Sequence, residues 1–330
     1  MLIRYFRLGF PRQYIVLVAI GLMFWGRAMI NPPPMPEPDG PVPLYRLTYT
    51  LLHELPHLAT LLSFLLMIIA SCWFNYLLNH HGLIQKNSTL GALVFMVLAS
   101  ISPIHLTLMP CHIALFLMVL ILQNILASYD RSPNLDVIYS GAFFTAIASF
   151  FYMPFLIFFG LIIISFMVFR TGILREFTSA LFGLLTPFLY LAVWYFWNDR
   201  LISESLNWYS FYSKVFVHPH YFQPGFYVAV AFTMVLVING IFFLLRGPFE
   251  KIIAIRAKTF YFFWLVFFTL VSYPFSHELA NYHIILFTPA FTLLITIPFL
   301  SYRKFFWPEL VFMMYLLFIL IHNLFLYTLF

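Results

Sequence analysis

Long apolar runs separated by short polar stretches follow one another along the whole chain. Each run has 15 to 25 residues, and a helix needs about 20 apolar residues to cross a bilayer, with spans down to ~17 being common. The pattern therefore predicts an all-α, polytopic transmembrane bundle of eleven spans. The predicted spans are residues 14–30, 58–78, 90–108, 113–127, 137–151, 154–169, 177–197, 222–245, 259–273, 284–300 and 306–330.

Composition agrees with this pattern. Of the 330 residues, 63% are hydrophobic and 8% are charged, whereas soluble domains carry about 25% charged residues. So few charges cannot cover the surface of a soluble protein of this size, which excludes a soluble enzyme, a nucleic-acid-binding protein and a disordered chain. We expect one integral membrane domain over residues 1–330, with membrane lipids and no nucleic acid as partners.

The positive charges predict the orientation. When the N-terminus is placed in the cytoplasm, 13 of the 17 Lys and Arg residues fall on the inner side, as the positive-inside rule requires. The C-terminus is then periplasmic. The same count divides residues 137–169 into two short spans, because one long helix would leave 7 inside and 10 outside. Pro154 favours the same break, since proline disfavours helix at the preceding residue.

Two outer loops are long, residues 31–57 and 198–221. The first loop holds seven prolines between Pro32 and Pro43, so it is expected to start as a stiff, extended segment. Residues 44–57 then predict an interfacial helix. Such a loop should fold back over the bundle and bring an acid near Arg27, His112 and the 198–221 or 274–283 loops.

Two acids in the first loop are candidates for catalysis. Glu37 and Asp39 are separated by one residue, and such carboxylates can act as a general base or hold a divalent cation against a phosphate. The alternative is an acidic, proline-rich loop that is simply solvated.

Outer cations and histidines are candidates for substrate binding. Arginine and lysine suit phosphate oxygens, and histidines accumulate on the predicted outer side. The alternative is that these residues bind no substrate: they are solvated loop charges, and Arg27 extends to the lipid headgroups. The candidates are Arg27, Arg46, His112, Arg200, Lys214 and His277.

The stretch His53-Glu54-Leu55-Pro56-His57 has the spacing of a zinc-protease motif. That motif needs an unbroken helix to place both histidines on one metal, and Pro56 interrupts it. We therefore predict no metal site here and no cofactor. The two cysteines, Cys72 and Cys111, lie at opposite ends of different predicted spans, so we expect apolar packing rather than a disulfide.

The stretch from about residue 75 to 197 resembles an uncharacterised family of polytopic inner-membrane proteins of the Bacteroidota. The resemblance covers more than a third of the chain and implies a multi-pass protein of the bacterial inner membrane. It rests on Asn75, Lys86-Asn87-Ser88, Phe151-Tyr152-Met153-Pro154, Arg170, Arg175-Glu176, Gly183 and Pro187.

The layout also resembles the C-type multi-spanning glycosyltransferases. The resembling segments are residues 102–112, 140–142 and 153–154, together with the acids that follow the first span. The resemblance implies a polyprenyl-phosphate-linked sugar as donor and a first-loop acid, Glu37 or Asp39, at the outer face. His112 stands where that superfamily often has a second acid.

Two functions follow as hypotheses. The first is a glycosyltransferase-like protein, active or degenerate, that handles a lipid-linked sugar at the outer face. The second is a non-catalytic scaffold or a lipid-binding protein of envelope assembly. A transporter ranks below both, because no predicted span centre carries an acid or a base.

Overall fold

A computed structural model describes residues 2–84, 87–130, 134–169, 173–213, 224–246, 253–276, 280–302 and 306–326. All regular secondary structure in these ranges is helical, in agreement with the all-α prediction. The α-helices within them are α1 (Leu2–Phe6), α2 (Arg12–Ile30), α3 (Pro43–Leu52), α4 (Pro56–His80), α5 (Leu90–Ala99), α6 (Pro110–Asp130), α7 (Leu135–Phe151), α8 (Phe159–Phe169), α9 (Ile173–Trp197), α10 (Leu201–Ser213), α11 (Pro224–Arg246), α12 (Ile253–Ser272), α13 (Ala280–His283), α14 (Thr288–Ser301) and α15 (Phe306–Leu326).

Eight helices in the described part of the chain are long and apolar enough to cross a membrane. The protein is therefore a multi-pass membrane protein. Three further predicted spans contain shorter apolar helices, and the one predicted over 90–108 is α-helical only over Leu90–Ala99. The count of eleven spans stays a prediction. The eight long helices are Arg12–Ile30, Pro56–His80, Pro110–Asp130, Leu174–Trp197, Pro224–Arg246, Ile253–Phe275, Asn281–Ser301 and Phe306–Leu324, and the shorter ones are Leu90–Ala99, Leu135–Phe151 and Met153–Phe169.

The helix break predicted from Pro154 lies at Tyr152. Helix α7 ends at Phe151, and Tyr152 has an extended backbone with φ of −138°. A 3-10 helix over Met153–Phe158 then leads into α8. Pro154 suits the first turn of this 3-10 helix, where a backbone N–H would have no partner within the helix. The side chain of Tyr152 is fully buried at the break.

Helix α5 forms the centre of the bundle. All of its residues are buried, and it packs between α4 and α14. Glycines allow two outer helices to approach their neighbours closely. A Cβ on Gly183 of α9 would lie 2.3 Å from Tyr139 O of α7, and one on Gly240 of α11 would lie 2.1 Å from Leu294 O of α14.

The bundle has two polar ends. The first-loop end carries residues 31–42, and the opposite end carries α1. Helix α1 is held there by burial of Ile3 and Phe6, and by a hydrogen bond of 3.1 Å from Thr89 Oγ1 to Phe6 O. Asn75 donates to Ser88 O over 3.0 Å at the same end, so it links α4 to the residues before α5.

Candidate functional site

The first loop folds back onto the bundle. Met35 and Val42 are buried, and Tyr45 Oη donates a hydrogen bond of 2.7 Å to Pro36 O. Burial raises the pKa of Tyr45, so its hydroxyl keeps the proton that it donates. The loop is fixed by a second, smaller apolar cluster that consists of Met35, Val42, Tyr45, Ala59, Leu108, Met153 and Phe211.

A glycine lets the loop approach helix α10. Gly40 has a φ of +76°, and a Cβ at this position would lie 2.5 Å from Cδ2 of Phe211. Any larger residue would be strained by the left-handed backbone conformation and would clash with the Phe211 ring. Gly40 therefore fixes the path of the chain directly after Asp39.

The two predicted acids occupy different environments. Glu37 is exposed, whereas Asp39 is partly buried and lies close enough to Tyr152 for an electrostatic interaction. Asp39 Oδ2 is buried and has no hydrogen-bond partner among the described residues. Of the pair, Asp39 is thus the acid that faces the interior of the protein.

Tyr152 belongs to a buried hydrogen-bond chain. Its hydroxyl lies 2.7 Å from His283 Nδ1, and His283 Nε2 lies 2.9 Å from Thr269 O. A carbonyl oxygen only accepts, so Nε2 carries the proton and Tyr152 donates to Nδ1. The thiol of Cys111 and the hydroxyl of Ser276 also interact with the Tyr152 hydroxyl. Asp39 is thereby linked to the segment that precedes α14.

His112 begins a second buried polar group, the His112 group, which consists of Trp25, Ser63, Ser100, His105, Thr107, His112 and Asn323. Ser63 Oγ donates to Thr107 O over 3.1 Å and lies 2.9 Å from His112 Nδ1. The Trp25 and His112 rings lie 6.1 Å apart, centroid to centroid. His112 directly follows Cys111, which interacts with the Tyr152 hydroxyl. The first turn of α6 therefore connects the His112 group to the hydrogen-bond chain of Tyr152.

The three candidate cations that the structure describes have different surroundings. Arg27 donates to Leu324 O of α15, and Arg46 Nη2 lies 3.4 Å from Gly40 O, beside the loop. Arg200 is exposed just before α10. Lys214 and His277 lie outside the described residues. Of these candidates, Arg46 has a described contact with the Asp39 loop.

The zinc-protease spacing does not lie on one helix. Helix α3 ends at Leu52, and α4 begins at Pro56. His53 Nδ1 lies 2.9 Å from Tyr49 O, whereas His57 Nδ1 lies 3.1 Å from Met29 O. The two imidazoles thus have separate backbone partners. Among the residues that were placed, no group of three or more His, Cys, Asp or Glu side chains could hold a metal ion, and Cys72 and Cys111 are free thiols.

An apolar cleft opens on the side of the bundle. It has a volume of about 240 Å³ and lies between α5, α11, α12 and α14, in their halves nearer the first-loop end. Such a cleft between spans suits a hydrocarbon chain. Its wall includes Leu98, Val230, Leu270, Ile284 and Phe291.

An ionic cluster at the opposite end was not anticipated from the sequence. Lys258 Nζ lies 2.7 and 2.8 Å from the two Asp130 carboxylate oxygens and 3.1 Å from His81 Nδ1. Burial, together with the Lys258 charge, lowers the pKa of His81 to about 4. The cluster joins the ends of α4, α6 and α12. Sequence reasoning treated Lys258 only as an orienting charge, because its partners are distant along the chain.

Sequence reasoning also missed the roles of Tyr152, His283 and Asn323. In the sequence, Tyr152 only stands two residues before the proline at the predicted break, and His283 is one of several histidines on the predicted outer side. Their partners lie far away along the chain, so no local spacing could have paired them. Tyr152 and His283 each flank a predicted apolar run, whereas Asn323 lies inside the last one.

No family model matches this chain, and no curated protein or solved structure matches it either.

Proposed function

We propose that this membrane protein handles a polyprenyl-phosphate-linked sugar at the first-loop end, with Asp39 as general base. One observation carries the proposal: Asp39 Oδ2 is buried, has no hydrogen-bond partner in the described ranges, and is within electrostatic range of Tyr152. An unengaged carboxylate oxygen at the edge of a polar interior is suited to accept a proton from an acceptor hydroxyl.

The reaction is transfer of the sugar to a hydroxyl group. Asp39 removes the proton of the acceptor hydroxyl, and the oxygen attacks the anomeric carbon. The bond between that carbon and the phosphate oxygen breaks, and the polyprenyl phosphate leaves with the bonding electrons. The proposal places this step at the outer face of a bacterial inner membrane.

The phosphate needs a cation near the membrane surface. Arg46 lies beside the Asp39 loop, where it contacts Gly40 O, and a guanidinium suits two phosphate oxygens at once. Arg27 at the seam between α2 and α15 is a second candidate at the same end. Arg200, Lys214 and His277 stay candidates from the sequence alone, and the exposed Glu37 has no role in this proposal.

A lipid-binding protein without chemistry is the second candidate function. The apolar cleft of about 240 Å³ favours it, because a hydrocarbon chain can bind there whether or not a sugar is transferred. The same cleft would hold part of the polyprenyl chain in the first proposal. A scaffold of envelope assembly is the third possibility.

The experiment compares Asp39→Asn with Glu37→Gln in purified protein reconstituted into liposomes. Polyprenyl-phosphate-linked hexoses and pentoses are supplied with candidate hydroxyl acceptors, and release of polyprenyl phosphate is measured. We expect Asp39→Asn to slow release at least 100-fold, a loss within the usual range for a general base. The matched control Glu37→Gln, an exposed acid of the same loop, should release at the wild-type rate.

Binding is measured alongside release. If lipid-linked sugars bind but neither wild type nor variants release polyprenyl phosphate, the lipid-binding function replaces the transferase. If nothing binds, the scaffold function remains. Equal release by wild type and Asp39→Asn would show that Asp39 is not the base.

A further inference from the structure

Three buried side chains at the first-loop end each present a polar atom without a hydrogen-bond partner in the part of the chain that is described. They are His105, His112 and Asn323, and the atoms are Nδ1, Nε2 and Oδ1. The exposed fractions of the three residues are 0%, 0% and 3%. A buried polar atom without a partner is costly in a folded protein, so each requires an explanation.

The unpaired atom of His105 is an acceptor. His105 Nε2 lies 3.1 Å from Asn281 O. Because that carbonyl can only accept, Nε2 carries the proton of the neutral ring. Nδ1 is then left with a lone pair and no donor.

The unpaired atom of His112 is an acceptor by the same reasoning. The Ser63 hydroxyl has one proton and lies within reach of both Thr107 O and His112 Nδ1. Both contacts are satisfied only when Ser63 donates to the carbonyl and accepts from Nδ1–H. His112 Nε2 therefore has a lone pair.

The amide of Asn323 is oriented by α5. Its Nδ2 donates a hydrogen bond of 2.8 Å to Ser100 O. An amide flipped by half a turn would place an oxygen against that carbonyl, so the observed orientation is fixed. Asn323 Oδ1 is consequently the third acceptor.

Trp25 connects the acceptors. Its ring lies 6.1 Å from that of His112, and its Nε1 donates over 2.9 Å to Ser100 Oγ, on the residue that holds Asn323. His105 is near enough to His112 for an electrostatic interaction between the two rings. The three acceptors therefore belong to one local group between α2, α5, α6 and α15.

The three acceptor atoms of His105, His112 and Asn323 disfavour charged ligands. An anion would face three lone pairs, and the donor of the same group that has no partner in the described ranges, the Thr107 hydroxyl, is neutral, which disfavours a phosphate or a carboxylate. A cation would need a counter-charge, and the three residues supply none in their neutral forms. A neutral group with several O–H donors matches them.

We propose that His105, His112 and Asn323 form a binding site for neutral hydroxyl groups, supplied by the sugar of a lipid-linked donor or by water. The sugar as source rests on the proposed function, whereas the acceptor set does not. Because the site is enclosed, a sugar requires a local opening of the first-loop end, and water requires only a small fluctuation.

The first arm of the test measures binding without an acceptor, so that no transfer is needed. Native mass spectrometry compares a polyprenyl-phosphate-linked hexose with polyprenyl phosphate itself. We expect wild type to prefer the sugar-bearing lipid by at least about tenfold, and His112→Leu and Asn323→Leu to lose about tenfold of that preference. His112→Gln, which keeps an acceptor, should restore part of the preference, and the exposed control His57→Leu should retain it.

The second arm detects water. X-ray-generated hydroxyl radicals label side chains beside bound water, so Trp25 should be modified although it is fully buried. Phe95, equally buried among apolar residues, serves as the internal control. Labelling of Trp25 should disappear in His112→Leu and Asn323→Leu.

The outcomes separate the sources. If wild type prefers the sugar-bearing lipid and the variants lose this preference, the site binds the sugar. If there is no such preference but Trp25 is labelled in wild type and not in the variants, the site binds water. If the variants change neither the preference nor the labelling, the proposal is overturned. A sugar preference without any transfer would refute the proposed function alone, and transfer without either signal would refute this site alone.

Discussion

The Tyr152 hydroxyl donates to His283 Nδ1 over 2.7 Å and so joins residues 131 positions apart. Tyr152 stands at the break between α7 and α8, and His283 stands at the end of α13. The contact ties the break to the segment that leads into α14. Asp39 is within electrostatic range of the same hydroxyl, so this hydrogen bond lies near the candidate base.

Tyr152→Phe should destabilise the protein by about 1–3 kcal/mol, because it leaves a buried histidine acceptor without a donor. The measurement is thermal unfolding of the detergent-solubilised protein. Tyr190→Phe is the matched control, since Tyr190 is 74% exposed. Equal unfolding temperatures for the two variants would contradict the structural role of the hydroxyl.

Gly240→Ala should cost about 1–3 kcal/mol by overpacking. The added Cβ would lie 2.1 Å from Leu294 O, a backbone atom that cannot move without separating α11 from α14. Gly26→Ala in α2 is the control, since no atom lies within 4 Å of its new Cβ. Thermal unfolding should show a lower midpoint for the first variant and an unchanged or higher one for the second.

Stability should fall as the pH is lowered from about 6.5 to about 4. The folded protein lowers the pKa of His81 to about 4 by burial and by the Lys258 charge, from an ordinary value of 6.5. Between these pH values His81 is protonated in the unfolded chain but remains neutral in the folded protein. The contribution of neutral His81 to the free energy of unfolding is therefore fully present above pH 6.5 and is lost as the pH falls towards 4.

The unfolding midpoint of His81→Gln should show a smaller pH slope in this window than that of wild type. His80→Gln changes the exposed neighbouring histidine, a minor contributor to the His81 pKa, and should keep most of the wild-type slope. A slope that persists undiminished in His81→Gln would assign the pH dependence to other groups.

The orientation is tested by reporter fusions at the two ends of α9. A reporter after Arg175 should be cytoplasmic and one after Asn198 periplasmic, because 13 of the 17 Lys and Arg residues then lie inside. A periplasmic reporter at Arg175 would contradict the division of residues 137–169 into two spans, and with it the charge count that supports the orientation.

The sequence by itself determined the class of the fold and most of the helix limits. Apolar run length is a local property, and so are the effects of Pro56 and Pro154, which lie where α4 begins and where the chain leaves α7. These features depend on neighbouring residues alone. They could be derived without knowledge of which helix packs against which.

Only the tertiary structure distinguished Asp39 from Glu37. The two acids are nearly equivalent in the sequence, and their difference arises because Met35, Val42 and Tyr45 anchor the loop against Met153 and other residues from distant helices. The same holds for Tyr152 with His283, and for Lys258 with Asp130 and His81. Their pairing depends on helix packing, which brings together residues that the chain separates by 100 positions or more.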